Sequence, residues 1–428
     1  MHIAIITLGS RGDVQPYIAL GVGLRCAGHS VCLITHAPFA DFVRDHDLDF
    51  YALDDEQYEL FQTPLGQTLL AQGTNSLAFA LRYAQFINPQ VHDYMKKCWV
   101  ACQGADVIIS SLLAIFYAGS VAEKLGIAVL AAFLQPTQVP TNTFAEPSNP
   151  QILQPLLDTF KDKKAYYYTH TMTRTFYWRM FSAKVNAARR DVLRLPPYDK
   201  QSPLKAVETG SLPLLFGYSP LVLPKPDDWG PNVHVTGFWH LDYDAGWQPS
   251  HELLNFLADG PPPVYIGFGS MRNTDPEATT ELVVQALAGT RQRGILLTGW
   301  QGLASTRLPD TVLAVDQVPH AWLFPRTAAV VHHGGAGTTA ESLRAGIPTI
   351  TVPYISDQPF WGRRVYELGV GPRPIPRPKL SIDRLADALC TALQDQEMRQ
   401  RAARIGQQLQ AENGVQQAVK AFHRILAI

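Results

Sequence analysis

At 428 residues the chain has room for two or three domains of ~100–200 residues each. Its 46% hydrophobic content excludes a disordered chain. Lys plus Arg number 36 and Asp plus Glu 37, a formal net charge of −1, which gives neither a basic stripe for nucleic acid nor an acidic tail. With only 17% charged residues, the expected partner is a small molecule.

The N-terminal run from Met1 to Leu8 is apolar, lacks a basic flank and is too short for a signal peptide. Five cysteines (Cys26, Cys32, Cys98, Cys102 and Cys390) form an odd, scattered set rather than a disulfide framework. Cys98 and Cys102 lack a second Cys or His pair to complete a zinc site. A long uncharged stretch, Leu125 to Ala145, carries Gln135, Pro136, Gln138, Pro140 and Asn142 and cannot sit in hydrocarbon. These features predict a soluble, cytoplasmic protein with reduced thiols, and they leave peripheral membrane contact open.

Short apolar runs then alternate with helical patterns, the signature of parallel βαβ units. Strands are predicted at Ile3–Leu8, Ser30–Thr35, Val107–Ser110 and Ile127–Phe133, with a helix at Pro16–Ala27 after the first. Residues 151–195 read as helical and aromatic. Residues 242–262, with Gly246, Pro249, Gly260 and prolines at 261–263, have linker composition. A second series follows, with strands at Val264–Phe268, Ile295–Thr298, Val312–Val315, Ala328–Val331 and Thr349–Val352. Ala402 to Leu426 reads as one helix. The expected architecture is two doubly wound, Rossmann-like α/β domains facing across a cleft, at 1–241 and 263–405. The helical end, 406–428, is expected to pack back on the first domain.

In such sheets ligands sit at the carboxyl ends of strands, so the loops there carry the chemistry. The loop Gly9-Ser10-Arg11-Gly12-Asp13-Val14-Gln15-Pro16 leaves the first strand and opens a helix. Asp13 there is either a helix cap or a general base for an acceptor hydroxyl. The loop from His332 to Thr339 contains three glycines, two threonines and His333 at the start of a helix. That combination suits a diphosphate held without metal. It is no Walker A loop, since no Gly-Lys-Ser/Thr follows. Gly335-x-Gly337-x-x-Ala340 also fits the dinucleotide fingerprint, with Asp357 twenty residues past Gly337. Asp357 nevertheless lies four residues beyond Pro353, past the expected strand end, which argues against a ribose carboxylate.

With these motifs the chain resembles family 1 glycosyltransferases, nucleotide-sugar enzymes of the two-Rossmann GT-B fold. It is most similar to their sterol 3β-glucosyltransferase branch and related bacterial enzymes. The likeness is carried by the Asp13 loop, Val318-Pro319-His320-Ala321-Trp322-Leu323-Phe324-Pro325-Arg326, the run His332–Thr339, and Asp357-Gln358-Pro359-Phe360-Trp361-Gly362. The resemblance implies that Asp13 is the catalytic base and that His333 binds the donor diphosphate. It implies a phosphate cradle of Gly335, Gly337, Thr338 and Thr339, with Ser270 as a further contact. It gives Glu341 to the ribose hydroxyls, Asp357 and Gln358 to the sugar, and the Val318 backbone to the uracil. Plant members orient a histidine base with a carboxylate where Ser110 and Ser111 stand here, which puts a dyad in doubt.

The expectation is an inverting, metal-independent transfer of a hexose, glucose first, from a UDP-sugar co-substrate to an apolar hydroxylated acceptor such as a sterol. No cofactor is expected, and the chain is expected to be monomeric. Phe86, Phe116, Tyr117 and Phe133 are the acceptor-pocket candidates. Alternatives are a dTDP-sugar enzyme acting on a polyketide or peptide aglycone, a nucleotide-sugar epimerase, an NAD-dependent dehydrogenase and a non-catalytic nucleotide-sugar binder.

Overall fold

The computed structural model describes residues 1–53, 81, 84–85, 87–148, 163–199, 201–241, 247–269, 271, 273, 275–298, 303 and 308–427. They form two compact units, one holding the described residues up to Leu241 together with those from Asn413 on, the other the described residues between.

The first unit is built on β1 (His2–Ile6), β2 (Ser30–Thr35), β3 (Asp49–Ala52), β4 (Val107–Ser110), β5 (Ala128–Phe133), β6 (Leu214–Phe216) and β7 (Val233–Val235). Among the described residues they lie in the order β3-β2-β1-β4-β5-β6-β7, every neighbouring pair parallel. The order reverses between β1 and β4, the switch point where doubly wound sheets bind ligands. A parallel sheet is buried on both faces, which is why β1 reads as unbroken apolar sequence. Ala4 and Ile6 enter one core and Ile3 and Ile5 the other, as the strand's two-residue period requires.

Helix α1 (Arg11–Cys26) starts five residues before its expected position, because Ser10 caps it and Pro16 is accommodated inside it. Next come α2 (Ala40–Arg44), α3 (Val91–Ala101), α4 (Ile115–Leu125) and α5 (Lys163–Ala188). α1 is tied to the sheet where the Tyr17 hydroxyl donates to Ala132 O at 2.5 Å. Strands β3, β6 and β7, of three or four residues, had no counterpart in the sequence reading.

The segment after β5 is held by a buried polar cluster. The Glu146 carboxylate receives the Thr137 hydroxyl, the Gln138 N–H at 3.1 Å, the Ser148 hydroxyl at 3.1 Å and His170 Nδ1 at 2.8 Å. The other ring nitrogen of His170 donates to Phe144 O at 3.0 Å. Burial pushes the Glu146 carboxyl up, but the hydrogen bond and charge of His170, with Thr137 and Gln138, outweigh it and hold the group below its ordinary value. Glu146 is thus held ionised, and each ring nitrogen of His170 lies within hydrogen-bond distance of an oxygen.

The second unit carries β8 (Val264–Gly267), β9 (Gly294–Leu297), β10 (Val312–Val315), β11 (Ala329–His332) and β12 (Thr349–Thr351). Its parallel order is β10-β9-β8-β11-β12, with the reversal between β8 and β11. The stretch read as linker holds a helix, α6 (His251–Ala258), whose Leu253 is buried in this unit's core. Helices α7 (Pro276–Gly289), α8 (His320–Leu323), α9 (Ala336–Arg344), α10 (Gln358–Glu367), α11 (Ile382–Gln394) and α12 (Gln396–Ala411) complete it.

The single helix expected at the end is two. α12 stops at Ala411, Asn413 caps α13 (Gly414–Leu426) by accepting from Gln416 N–H at 3.0 Å, and α13 belongs to the first unit. Its Val415 packs on α1 so closely that a Cβ at Gly23 would come within 2.2 Å of it. The second unit therefore runs to Glu412 rather than to 405. Among the described residues no helix is long and apolar enough to cross a membrane.

Candidate active site

In the first unit the site is the loop from β1 into α1. Gly9 adopts φ +128°, and a Cβ there would lie 2.5 Å from Asp13 Oδ2, so only glycine lets the backbone press against this carboxylate. Asp13 occupies the third helical position, not the cap itself. Its Oδ2 accepts the Ser10 N–H and the Ser10 hydroxyl, both at 2.9 Å. The Thr7 hydroxyl donates to Asp13 O at 2.8 Å. Among the described residues Oδ1 accepts no hydrogen bond, and the side chain is half-buried. Burial raises the Asp13 carboxyl above its ordinary value, while the two Ser10 bonds act against the rise. One oxygen is thus anchored and the other available, on a carboxylate made more basic than usual.

In the second unit three loops at carboxyl strand ends converge. Gly335 caps α9, which begins at Ala336, so Gly337 and Thr338 lie in its first turn and their N–H groups belong to the unpaired helix start. Gly337 is exposed, and a Cβ there would meet nothing within 4 Å. A Cβ on Gly335 would stand 2.4 Å from His333 Nε2, and one on Gly269, after β8, 2.7 Å from its Cε1. A Cβ on Gly334 would reach Gln358 O, at the start of α10, at 2.9 Å. His333 therefore sits against glycine backbone on two sides.

His333 Nδ1 and the Thr339 hydroxyl are buried with no hydrogen-bond partner among the described residues. Burial, with the charge of His320, lowers the His333 imidazole to about 4, so it is neutral at pH 7 and offers one ring N–H. His332 is wholly buried, its Nδ1 accepting the Gly334 N–H at 3.0 Å. Burial, with His333 and His320, holds it well below the ordinary 6.5.

These two histidines predict an acid sensitivity. A histidine whose folded value lies below its unfolded one gives stability that is whole above pH 6.5 and is lost as the pH falls toward about 4. Each contributes a slope of up to about 1.4 kcal/mol per pH unit. Calorimetry between pH 7 and 4 should show the second unit's thermal midpoint falling steadily, less steeply in a His333→Phe variant.

Several expected site residues sit differently. Gln358 is buried, its Oε1 accepting Tyr354 N–H at 2.8 Å and Ile355 N–H at 3.2 Å while its amide faces Met271 Sδ at 3.4 Å. It braces the loop after β12. Asp357 Oδ2 accepts the Trp361 indole N–H at 2.8 Å, and the side chain is half-buried. Thr339 is turned wholly inward beneath Thr338, so of the two threonines only Thr338 lies at the surface of the turn. Glu341 is half-buried on α9. Val318 follows β10 and packs with Trp322, Phe324 and Tyr265.

Of the acceptor candidates, Phe133 and Tyr117 are core residues, 0% and 4% exposed. Phe133 packs edge-on against Phe216 and Tyr117 against Tyr94. Phe116 is half-buried against Trp178. Ser270 and Phe86 lie outside the described residues. His36, which the sequence reading passed over, stands beside Asp13. Its position directly after β2, the strand next to β1, was the signal that could have found it.

The fold recurs in solved glycosyltransferases. The kitacinnamycin glycotransferase aligns with a TM-score of 0.69 at 21% identity, covering 99% of this chain and 98% of its own. The glycosyltransferase VinC, solved with dTDP, aligns at 0.67 and 18%, covering 99% of both chains. This architecture is the GT-B fold of those glycosyltransferases. Residues 3–142 match the glycosyltransferase family 28 N-terminal domain, and residues 294–424 the erythromycin biosynthesis protein CIII-like C-terminal domain. A sterol 3-beta-glucosyltransferase of Arabidopsis thaliana is 37% identical over 100% of this chain and 68% of its own length. One of Cryptococcus neoformans is 36% identical over 100% of the chain but 27% of its own. The chain belongs to the sterol 3-beta-glucosyltransferase family.

Proposed function

We propose that the chain transfers glucose from UDP-glucose to the hydroxyl of a sterol or sterol-like acceptor, with inversion. Asp13 Oδ1 takes the acceptor proton as its oxygen forms a bond to the anomeric carbon. The bond from that carbon to the diphosphate breaks, and UDP leaves with the electron pair. In the second unit the first-turn N–H groups of α9, the Thr338 hydroxyl and His333 stabilise the leaving charge, with Ser270 as a further contact. Glu341 holds the ribose, Asp357 the sugar and the Val318 backbone the uracil. No metal or cofactor enters this route.

The observation that carries the reading is His333, set against glycine backbone at the start of α9, with a buried Nδ1 that has no partner among the described residues. A second reading, a dTDP-sugar donor and a natural-product aglycone, is favoured by the match of residues 294–424 to the erythromycin-type domain.

Thermal stabilisation by UDP and by dTDP decides between them. A nucleotide at 100 times its Kd should add about 2.7 kcal/mol, and His333→Ala should abolish most of that shift. Stabilisation by dTDP alone would replace the donor. Silence with both would remove the reading.

A further inference from the structure

His36 lies directly after β2, 2% exposed, at the carboxyl edge of the sheet that carries Asp13. β1 and β2 pair in register through Ile6 and Ile34, and Thr7 N–H extends the ladder to Ile34 O at 3.1 Å. This brings the loop after β1 over the end of β2. There the Gly9 N–H donates to His36 Nε2 at 3.0 Å.

Gly9 is also the residue whose left-handed backbone presses on Asp13 Oδ2, and the next residue, Ser10, supplies both hydrogen bonds to that oxygen. A continuous path therefore runs from the imidazole through one backbone N–H to the anchored oxygen of the base. The Ser10 cap alone would fix the carboxylate relative to α1. The His36 bond fixes the Gly9–Ser10 peptide relative to the sheet.

We propose that His36 is a positioning residue for the glycosyl-transfer base: through the Gly9 N–H it holds the loop so that Asp13 Oδ2 is fully anchored and Oδ1 is aimed at the acceptor hydroxyl. The proposal rests on the reading of Asp13 as base. It acts from β2, a direct neighbour of β1 in the sheet.

A double-mutant cycle tests it. Gln places its side-chain oxygen where the histidine has Nε2, and Asn places its own where the histidine has Nδ1. H36N should therefore lower kcat roughly 10- to 100-fold, the scale of a misplacement of about 1 Å, with UDP stabilisation unchanged. H36Q should restore kcat to within about fivefold of the parent, since an acceptor again faces Gly9. D13N/H36N should turn over at the rate of D13N, because a residue acting through the base has nothing left to position. If H36N lowers kcat in the D13N background by the same factor as in the parent, or leaves the parent unaffected, the proposal fails. If D13N itself retains full kcat, the base assignment fails instead, a separable result. Should H36N not fold, Gly9→Ala carries the same cycle, since its Cβ would stand 2.5 Å from Asp13 Oδ2.

Discussion

Asp13→Asn is expected to lower kcat by about 10²- to 10⁴-fold, the range general-base assistance supplies. The change is nearly isosteric, and an amide oxygen in place of Oδ2 can still accept the Ser10 N–H and hydroxyl, so the start of α1 should survive with little loss of stability. What disappears is the capacity of the second oxygen to take a proton. The donor contacts belong to other residues in the other unit, so UDP stabilisation should be unchanged. The pH profile gives a second readout. A base must be ionised, and burial raises the Asp13 carboxyl above 3.8 despite the opposing Ser10 bonds. The acid limb of kcat/KM should therefore fall above the ordinary carboxylate range and be absent from D13N. Full activity in D13N would remove Asp13 from the mechanism.

Glu146→Ala is expected to destabilise the first unit by about 3–5 kcal/mol, because several buried groups would lose their shared acceptor at once. His170 is not the only one of them. The Thr137 and Ser148 hydroxyls and the Gln138 N–H all end on this carboxylate, and each buried donor left unpaired adds to the penalty. Replacing both partners, Glu146→Leu with His170→Phe, should cost less than the two single changes added together, since neither is left without the other's hydrogen bond. Denaturant midpoints of the four proteins measure this. Simple additivity would mean that the two residues do not act as a pair.

The segment they hold begins at the carboxyl end of β5, the strand that receives the Tyr17 hydroxyl one helical turn past Asp13. A failure of this cluster would therefore reach the base through α1 as well as through the segment itself. Raised acceptor KM in variants that still fold would be the sign of it.

Much of the architecture was legible because its signals are local. Parallel strands buried on both faces read as short apolar runs, and Ser30–Thr35, Val107–Ser110 and Val312–Val315 fall where periodicity put them. Glycines that let backbone approach backbone announced both loops. β3, β6 and β7 were not legible, since three or four residues carry too little pattern to separate a strand from a loop. The break at Glu412–Asn413 was missed because two consecutive amphipathic helices share one period, and only the cap at Asn413 divides them.

The amino-acid sequence by itself determined the fold class, the family and the two loops that carry Asp13 and His333, all properties of residue type and spacing along the chain. The tertiary structure decided which side chains of those segments are free to act. Gln358 turns inward onto backbone N–H groups, Phe133 and Tyr117 fill the core, and His36 reaches Gly9 across 27 residues. Burial and hydrogen-bond partnership depend on what the rest of the chain brings alongside, and that information lies in the packing of distant segments rather than in any local run of residues.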